Sequence, residues 1–293
     1  MSDKSPLVSV IVSCYNHEKY IEDCILSILN QDYKNVELLV VDDGSSDKCV
    51  DIINRLKEKY GFYFLAQKNK GLTKTLNETI AKSKGEYIIP FGSDDIMLPH
   101  RISAQIEYIK DKPEVGICGG NIELIDSDGV LYPEKRQGRD TPFRRLNFED
   151  VFLERKPYVP ATTLLIRREA LEKVGGFDED NRLEDLMIEL KITRAGYYID
   201  CIPVVLAQYR KHATNTYKNH KFMISSILDT YARFSDHPDY EFVKYKFLNS
   251  MFLKVANRDR KLARSLLKDI PFARWNKKTW RGLLRLYFYP LEK

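Results

Sequence analysis

The feature that most narrows what this chain can fold into is an alternation, over its first 120 residues, of short β-branched runs with stretches of helical apolar spacing. Residues 8–13, 36–41, 62–66, 87–91 and 115–119 read as strands, and 20–30, 47–60, 72–83 and 100–110 read as helices. Repeated β-α units build a mainly parallel sheet with helices on both faces, so the expected class is α/β. Ligands of such sheets sit at the carboxyl ends of the strands. The polar clusters fall there: Cys14-Tyr15-Asn16-His17 after the first strand, Asp42-Asp43-Gly44-Ser45-Ser46-Asp47 after the second, and Gly92-Ser93-Asp94-Asp95 after the fourth.

Beyond Gly120 the alternation breaks up. An Asp126–Gly129 turn, a basic polar stretch over 135–145, a strand at 163–167 and a helix at 184–194 read as a half inserted on the first sheet. From about residue 215 the pattern is helical, basic and aromatic. Residues 242–293 carry 14 Lys and Arg against 3 Asp and Glu, a net +11, which leaves −6 of the total +5 for residues 1–241. A mildly acidic body with a basic tail points the tail toward a polyanionic surface.

Several function classes are excluded. No G-x-G-x-x-G follows the first strand and no G-x-x-x-x-G-K-[ST] occurs, which removes the main support for dehydrogenase and ATPase readings. The five cysteines are scattered and form no C-x-x-C pair, as expected of small apolar residues in a reducing compartment. The apolar run at 7–12 is too short for a signal segment, and no stretch of about 18 apolar residues occurs. The expected location is the cytoplasm, either free or peripheral at the cytoplasmic face of the inner membrane.

Four sites carry side chains suited to chemistry, each with a plainer alternative. Asp94 and Asp95 suit Mn²⁺ or Mg²⁺, hard cations that complete their shells with phosphate oxygens and water, or else cap the helix after Pro99. Asp42 and Asp43 suit hydrogen bonds to a base or ribose, or simple turn chemistry. Glu184-Asp185 stands in a first helical turn, where a carboxylate is either a general base or a complement to the helix dipole. His212, in Tyr209-Arg210-Lys211-His212, suits a metal, a phosphate or plain solvent exposure.

Taken in order, these sites resemble the family 2 glycosyltransferases of the GT-A fold. The resemblance covers residues 6 to about 212 and rests on PLVSVIVSCYN at 6–16, ELLVVDDGSSD at 37–47, KGEYI at 84–88, GSDD at 92–95, GGFD at 175–178 and Glu184-Asp185. It implies a GT-A, Rossmann-like domain over 1–214, with a donor half of about 1–120 and an acceptor half of about 121–214, followed by a helical extension over 215–293. By the same resemblance Ser13, Tyr15 and Asp43 line the nucleobase pocket, Asp95 coordinates the metal, and Asp94 contacts ribose or sugar. Asp185 matches the catalytic base, and His212 matches a histidine near the diphosphate. Lys70 or Lys74, near Asn77, could face the donor phosphates. Leu186-Met187 follows the Glu-Asp pair where many relatives carry Trp-Asp, a departure that puts the acceptor platform in doubt.

The activity so implied is inverting transfer of a sugar from a nucleotide diphosphate sugar, most commonly a UDP-sugar, to a hydroxyl of a glycan acceptor. Such an acceptor, linked to a polyprenyl diphosphate, belongs to surface polysaccharide assembly of the O-antigen or capsule type. The alternatives are a nucleotidyltransferase that makes nucleotide sugars and a non-catalytic nucleotide-binding module. The first calls for a Gly-rich, Arg/Lys-containing loop where Ser13–His17 stand, and the second tolerates loss of Asp95 or Asp185. In the tail, Phe247, Phe252, Trp275, Trp280, Leu283, Leu284, Tyr287 and Phe288 interleave with Lys and Arg, as suits an anionic membrane surface; the same residues could instead pack inward or form an oligomer contact. Nucleic acid is not an expected partner, because the body is acidic and carries no binding module.

Overall fold

A computed structural model of the protein describes residues 5–137 and 140–291. Gly138 and Arg139 of the basic 135–145 stretch lie outside the described residues, as do the first four residues and the last two. The chain divides into two compact units, Met1–Ala213 and Thr214–Lys293.

The first unit opens with β1 (Val8–Cys14), α1 (Ile21–Leu29), β2 (Val36–Asp42), α2 (Cys49–Tyr60), β3 (Tyr63–Ala66), α3 (Leu72–Ile80) and β4 (Tyr87–Gly92). It continues through β5 (Ile96–Met97), α4 (Arg101–Ile109), β6 (Val115–Ile125), β7 (Arg144–Leu146), α5 (Phe148–Phe152), β8 (Leu165–Arg167), α6 (Arg168–Lys173), α7 (Glu184–Arg194) and β9 (Tyr198–Arg210). Among the described residues the strands form one sheet in the order β3-β2-β1-β4-β8-β6-β9-β5, with β7 on β9. β3, β2, β1 and β4 run parallel, as do β6 and β9.

The expected alternation is present, and two features go beyond it. β8 enters antiparallel between β4 and β6, and β6 runs on to Ile125 because it pairs along its length with the 13-residue β9. Alternate side chains of β1 face opposite layers. Val8, Val10 and Val12 share a core with Ile21, Ile25, Ile53, Ile102 and Ile106 of α1, α2 and α4, while α3 covers the other face against β1 and β2. In register, Cys14 lies beside Asp42 and Ser13 beside Gly92. The loops after β1, β2 and β4 therefore leave the sheet at one edge.

Asp200, on β9, has a fully buried carboxylate. Arg145 of β7 grips it with two hydrogen bonds of 2.8 and 2.7 Å while lying over the Tyr198 ring, and the Tyr108 hydroxyl of α4 donates a third at 2.8 Å. This joins a helix and two strands distant in sequence around a single charge.

The second unit is helical: α8 (His220–Ala232), α9 (Tyr240–Val255), α10 (Arg260–Lys268) and α11 (Lys277–Phe288). α8, α10 and α11 all pack on α9. Gly282 of α11 lies against Phe252, whose ring would stand 2.5 Å from any added Cβ, so the two helices meet closely there. No described helix is long and apolar enough to cross a membrane.

Replacing Arg145 by Ala leaves the Asp200 charge buried with one neutral donor, which should cost about 2–3 kcal/mol. Arg145→Lys should recover only part, because an ammonium cannot reproduce the two-pronged grip. Chemical denaturation of the three proteins checks this, and equal midpoints would mean that the charge is hydrated despite its burial.

Candidate active site

The loops after β1 and β2 are tied to each other. Asn16 adopts a left-handed conformation, φ 55°, which Asn tolerates better than most residues. Its side-chain oxygen accepts from the Ser46 amide at 2.8 Å, and its own amide donates to Ser45 Oγ at 2.9 Å. Asp42 folds the second loop back by accepting from the Gly44 and Ser45 amides, and the Gly44 turn, φ 85°, passes so close to Asn69 that a Cβ would meet its backbone at 2.7 Å.

Asp43 is buried and points along the sheet edge toward the loop after β3. Its carboxylate accepts from the side chain of Gln67 at 2.9 Å and from the amides of Lys70 and Gly71 at 2.9 and 3.0 Å. Three bonds leave acceptor capacity on a carboxylate with about four lone-pair sites. Lys70 thus meets Asp43 through its backbone, while its ammonium lies at the surface against Glu78, 2.7 Å away. Ser13 is half-buried, and Tyr15 is 51% exposed at the mouth of the same edge.

The loop after β4 carries both aspartates and gives them different partners. Asp95 is buried, and its Oδ1 accepts from the Arg210 amide at 2.9 Å, at the end of β9. Burial, and then the Asp94 carboxylate next to it, push its carboxyl up to about 8. Asp94 Oδ2 meets His212 Nε2 at 2.9 Å, and the two carboxylates stand side by side over Gly92, where an added Cβ would lie 3.0 Å from Asp94 Oδ1 and 3.3 Å from Asp95 Oδ2. His17, from the loop after β1, completes the group; its Nδ1 is 2.7 Å from Ser93 Oγ. Ligand atoms of His17, Asp94 and His212 all lie within 4.8 Å of one another, a grouping able to hold one metal ion. Tyr20 flanks both imidazoles, with its ring 5.9 Å from that of His17 and 5.1 Å from that of His212, and the Arg210 guanidinium lies over it at 4.9 Å.

Of the residues singled out in the sequence, Asp94 and His212 are thus brought together, and Asp95 lies outside that group, braced on β9. His17 and Ser93 stood in the polar clusters of the sequence without a role of their own, and Tyr20 only as the start of a helix. The only hint in the sequence was the position of His17, three residues past β1. A second set of potential ligands, Cys14, Asp42 and Cys49, is fully buried beneath the first two loops, and there Cys14 donates to Cys49 across 3.2 Å. All five cysteines are free thiols.

Glu184 and Asp185 stand in the first turn of α7, with Glu189 one turn on. The segment before them is anchored to α3, where Asn77 donates to the carbonyl of Phe177 and accepts from its amide. Asp185 is half-buried and accepts from the Leu186 amide at 2.7 Å. Burial raises its carboxyl above the usual range. Burial and the Asp185 charge bring Glu184 to about 8, and they raise Glu189 as well. Three carboxyl groups that resist ionisation over the first two turns of one helix suit proton transfer near neutrality.

The chain belongs to glycosyl transferase family 2, whose model matches residues 9–175. An uncharacterized glycosyltransferase of Rickettsia typhi, RT0329, is 34% identical over 221 residues, 72% of this chain and 66% of its own length. The chain spans about half to two thirds of the length of the curated relatives it matches. Two solved structures share the fold: S. aureus TarS 1-349, with a TM-score of 0.64 at 17% identity over 90% of this chain and 78% of that one, and the mannosyltransferase PcManGT from Pyrobaculum calidifontis in complex with GDP-Man and Mn²⁺, with 0.63 at 19% over 97% and 88%. Both are GT-A structures, and this chain shares their architecture.

If the ion sits among His17, Asp94 and His212, Asp94→Asn should weaken Mn²⁺ binding by at least about tenfold, whereas Asp95→Asn, which can still accept from the Arg210 amide, should stay within about threefold. Calorimetric titration with Mn²⁺ separates the two. Equal losses would put the ion between the aspartates.

Proposed function

We propose that this protein transfers a single sugar from a UDP-sugar to a hydroxyl of a glycan acceptor with inversion at the anomeric carbon, aided by Mn²⁺ or Mg²⁺. The observation that carries this reading is the pairing of Asp94 with His212 at the carboxyl end of β4, in a chain of family 2 whose α7 opens with carboxyl groups of raised pKa. TarS has been solved with UDP-GlcNAc and PcManGT with GDP-Man and Mn²⁺, which supports a nucleotide-sugar donor and a metal-assisted reaction. In this reading residues 1–120 hold the donor, 121–214 the acceptor, and 215–293 form an extension.

The residues divide the work by position. Asp43, fixed by Gln67 and two amides, presents its remaining acceptor capacity to the base, with Ser13 and Tyr15 along the same edge. Asp94 and His212 hold the ion; a bound Mn²⁺ or Mg²⁺ supplies Lewis acidity to the departing nucleoside diphosphate. Asp185 takes the proton of the attacking hydroxyl. Its raised pKa brings the carboxylate closer in basicity to the task than an ordinary aspartate, near 3.9. Attack from the face opposite the diphosphate gives inversion without a covalent sugar–enzyme intermediate.

Transfer and hydrolysis across a panel of nucleotide sugars test the reading. Because the base must be ionised, kcat/KM should rise with pH through a midpoint above the ordinary aspartate range. Asp185→Asn should remove that limb and lower the rate by about 10²–10⁴ while sparing donor affinity. A folded protein that binds UDP but turns over no nucleotide sugar would instead be a binding module.

The acceptor side of the proposal is a lipid-linked saccharide reached at the cytoplasmic face of a membrane, and the second unit supports it. Phe247 and Phe252 are core residues of α9, and Trp275 and Leu283 are half-buried, but Trp280, Leu284, Tyr287 and Phe288 are exposed. On α11 these four form one face. Thr279, Gly282 and Leu286 form the buried face, and Lys278, Arg281 and Arg285 lie on the arc between those two faces, while Lys277 stands at the N-terminal end of the apolar face itself. An apolar face edged by cations suits the headgroup region of an anionic bilayer. Replacing Trp280, Leu284 and Phe288 together by Ser should leave the fold intact and abolish salt-sensitive co-sedimentation with anionic vesicles. Binding unaffected by the triple substitution would remove the membrane from the proposal.

A further inference from the structure

His17 comes from a different loop than the other two members of the metal group, and its surroundings are those of a ligand held in place. Its Nδ1 lies 2.7 Å from Ser93 Oγ, and Ser93 is buried directly before Asp94. If Nδ1–H donates to that hydroxyl, the second ring nitrogen carries a lone pair, which is the tautomer a metal requires. His212 Nε2 is already within 2.9 Å of Asp94 Oδ2, and a ring nitrogen of His17 lies within 4.8 Å of the ligand atoms of both. Ligands about 2.1 Å from one ion stand roughly 3 Å apart when adjacent and about 4.2 Å when opposed. The Asp94–His212 pair already has the adjacent spacing, and His17 needs a shift of no more than about 2 Å, within reach of side-chain rotation, to close on one ion.

We propose that His17 is a third protein ligand, positioned by Ser93, and that two imidazoles beside one carboxylate make this site take a first-row transition ion such as Mn²⁺ in preference to Mg²⁺. The inference rests on the metal-assisted reading above and deepens it. Mg²⁺ favours oxygen ligands and gives up water reluctantly, whereas divalent transition ions accept imidazole nitrogen. A site built from aspartates alone would leave the choice to whichever ion is abundant. Two nitrogens tilt it. The remaining positions around the ion stay open to diphosphate oxygens and water.

The test uses the purified full chain with metal alone. Mn²⁺ binding is followed by loss of the free-ion electron paramagnetic resonance signal, Mg²⁺ is titrated as competitor, and nitrogen modulation of the bound signal reports coordinated imidazole. The expected result is Mn²⁺ binding at least about tenfold tighter than Mg²⁺, with two imidazole nitrogens on the ion. His17→Gln places an amide oxygen near the lost nitrogen. It should leave one coordinated imidazole, weaken Mn²⁺ by at least about tenfold and change Mg²⁺ by less than about threefold. Ser93→Ala should weaken Mn²⁺ in the same direction while both nitrogens remain. Unchanged selectivity in a folded His17→Gln protein overturns the proposal. If that variant does not fold, a single coordinated nitrogen in the wild-type spectrum overturns it equally. Should no nucleotide sugar be turned over while the His17-dependent selectivity stands, the functional reading fails and the metal site survives.

Discussion

One hydrogen bond organises the site: the Arg210 amide on Asp95 Oδ1, at 2.9 Å. It joins the end of β4 to the end of β9 across 115 residues of sequence, and Arg210 adds a second link by donating from Nε to the Asp94 carbonyl at 2.8 Å. With the two strand ends so fixed, Asp94 and His212 have one relative placement, two residues beyond Arg210 and one before Asp95. A buried carboxyl bonded to a strand backbone has little freedom to move. The adjacent aspartates thus divide their labour, one as a fixture and the other as a contact. Asp95 is 4% exposed, whereas the Asp94 side chain keeps 16% of its surface open.

Much of the first half of the sheet was legible because it is local. The first, second and fourth strands carry β-branched runs and the third an aromatic one, each intervening helix has its own periodicity, and α7 begins and ends where the sequence places it, between Glu184 and Arg194. The polar clusters after β1, β2 and β4 could be assigned to one sheet edge from the parallel topology alone. β8 was legible as a strand, but not its direction. Three residues of extended chain carry no sign of antiparallel pairing, which is decided by partners such as Tyr87 and Ile117, tens of residues away.

The division between Asp94 and Asp95 was illegible for a related reason. Both carboxylates stand over Gly92, and which one meets His212 and which the Arg210 amide depends on how β9 docks. His17 is illegible in the same way, since its partners lie 76 residues away at Ser93 and farther at His212. The tail gave the reverse lesson: aromatics that look alike in sequence separate in the fold, Phe252 filling the space against Gly282 while Phe288 remains 79% exposed.

Asp43 recognises the loop after β3 mainly through peptide groups, the amides of Lys70 and Gly71, assisted by the side chain of Gln67. A contact made to the backbone is blind to the identity of the side chains it holds but strict about how many residues reach it. The exposed positions 68–70 are therefore open to change in charge and size, while a single insertion or deletion would shift both amides out of register. Along this rim the number of residues is constrained more tightly than their side chains.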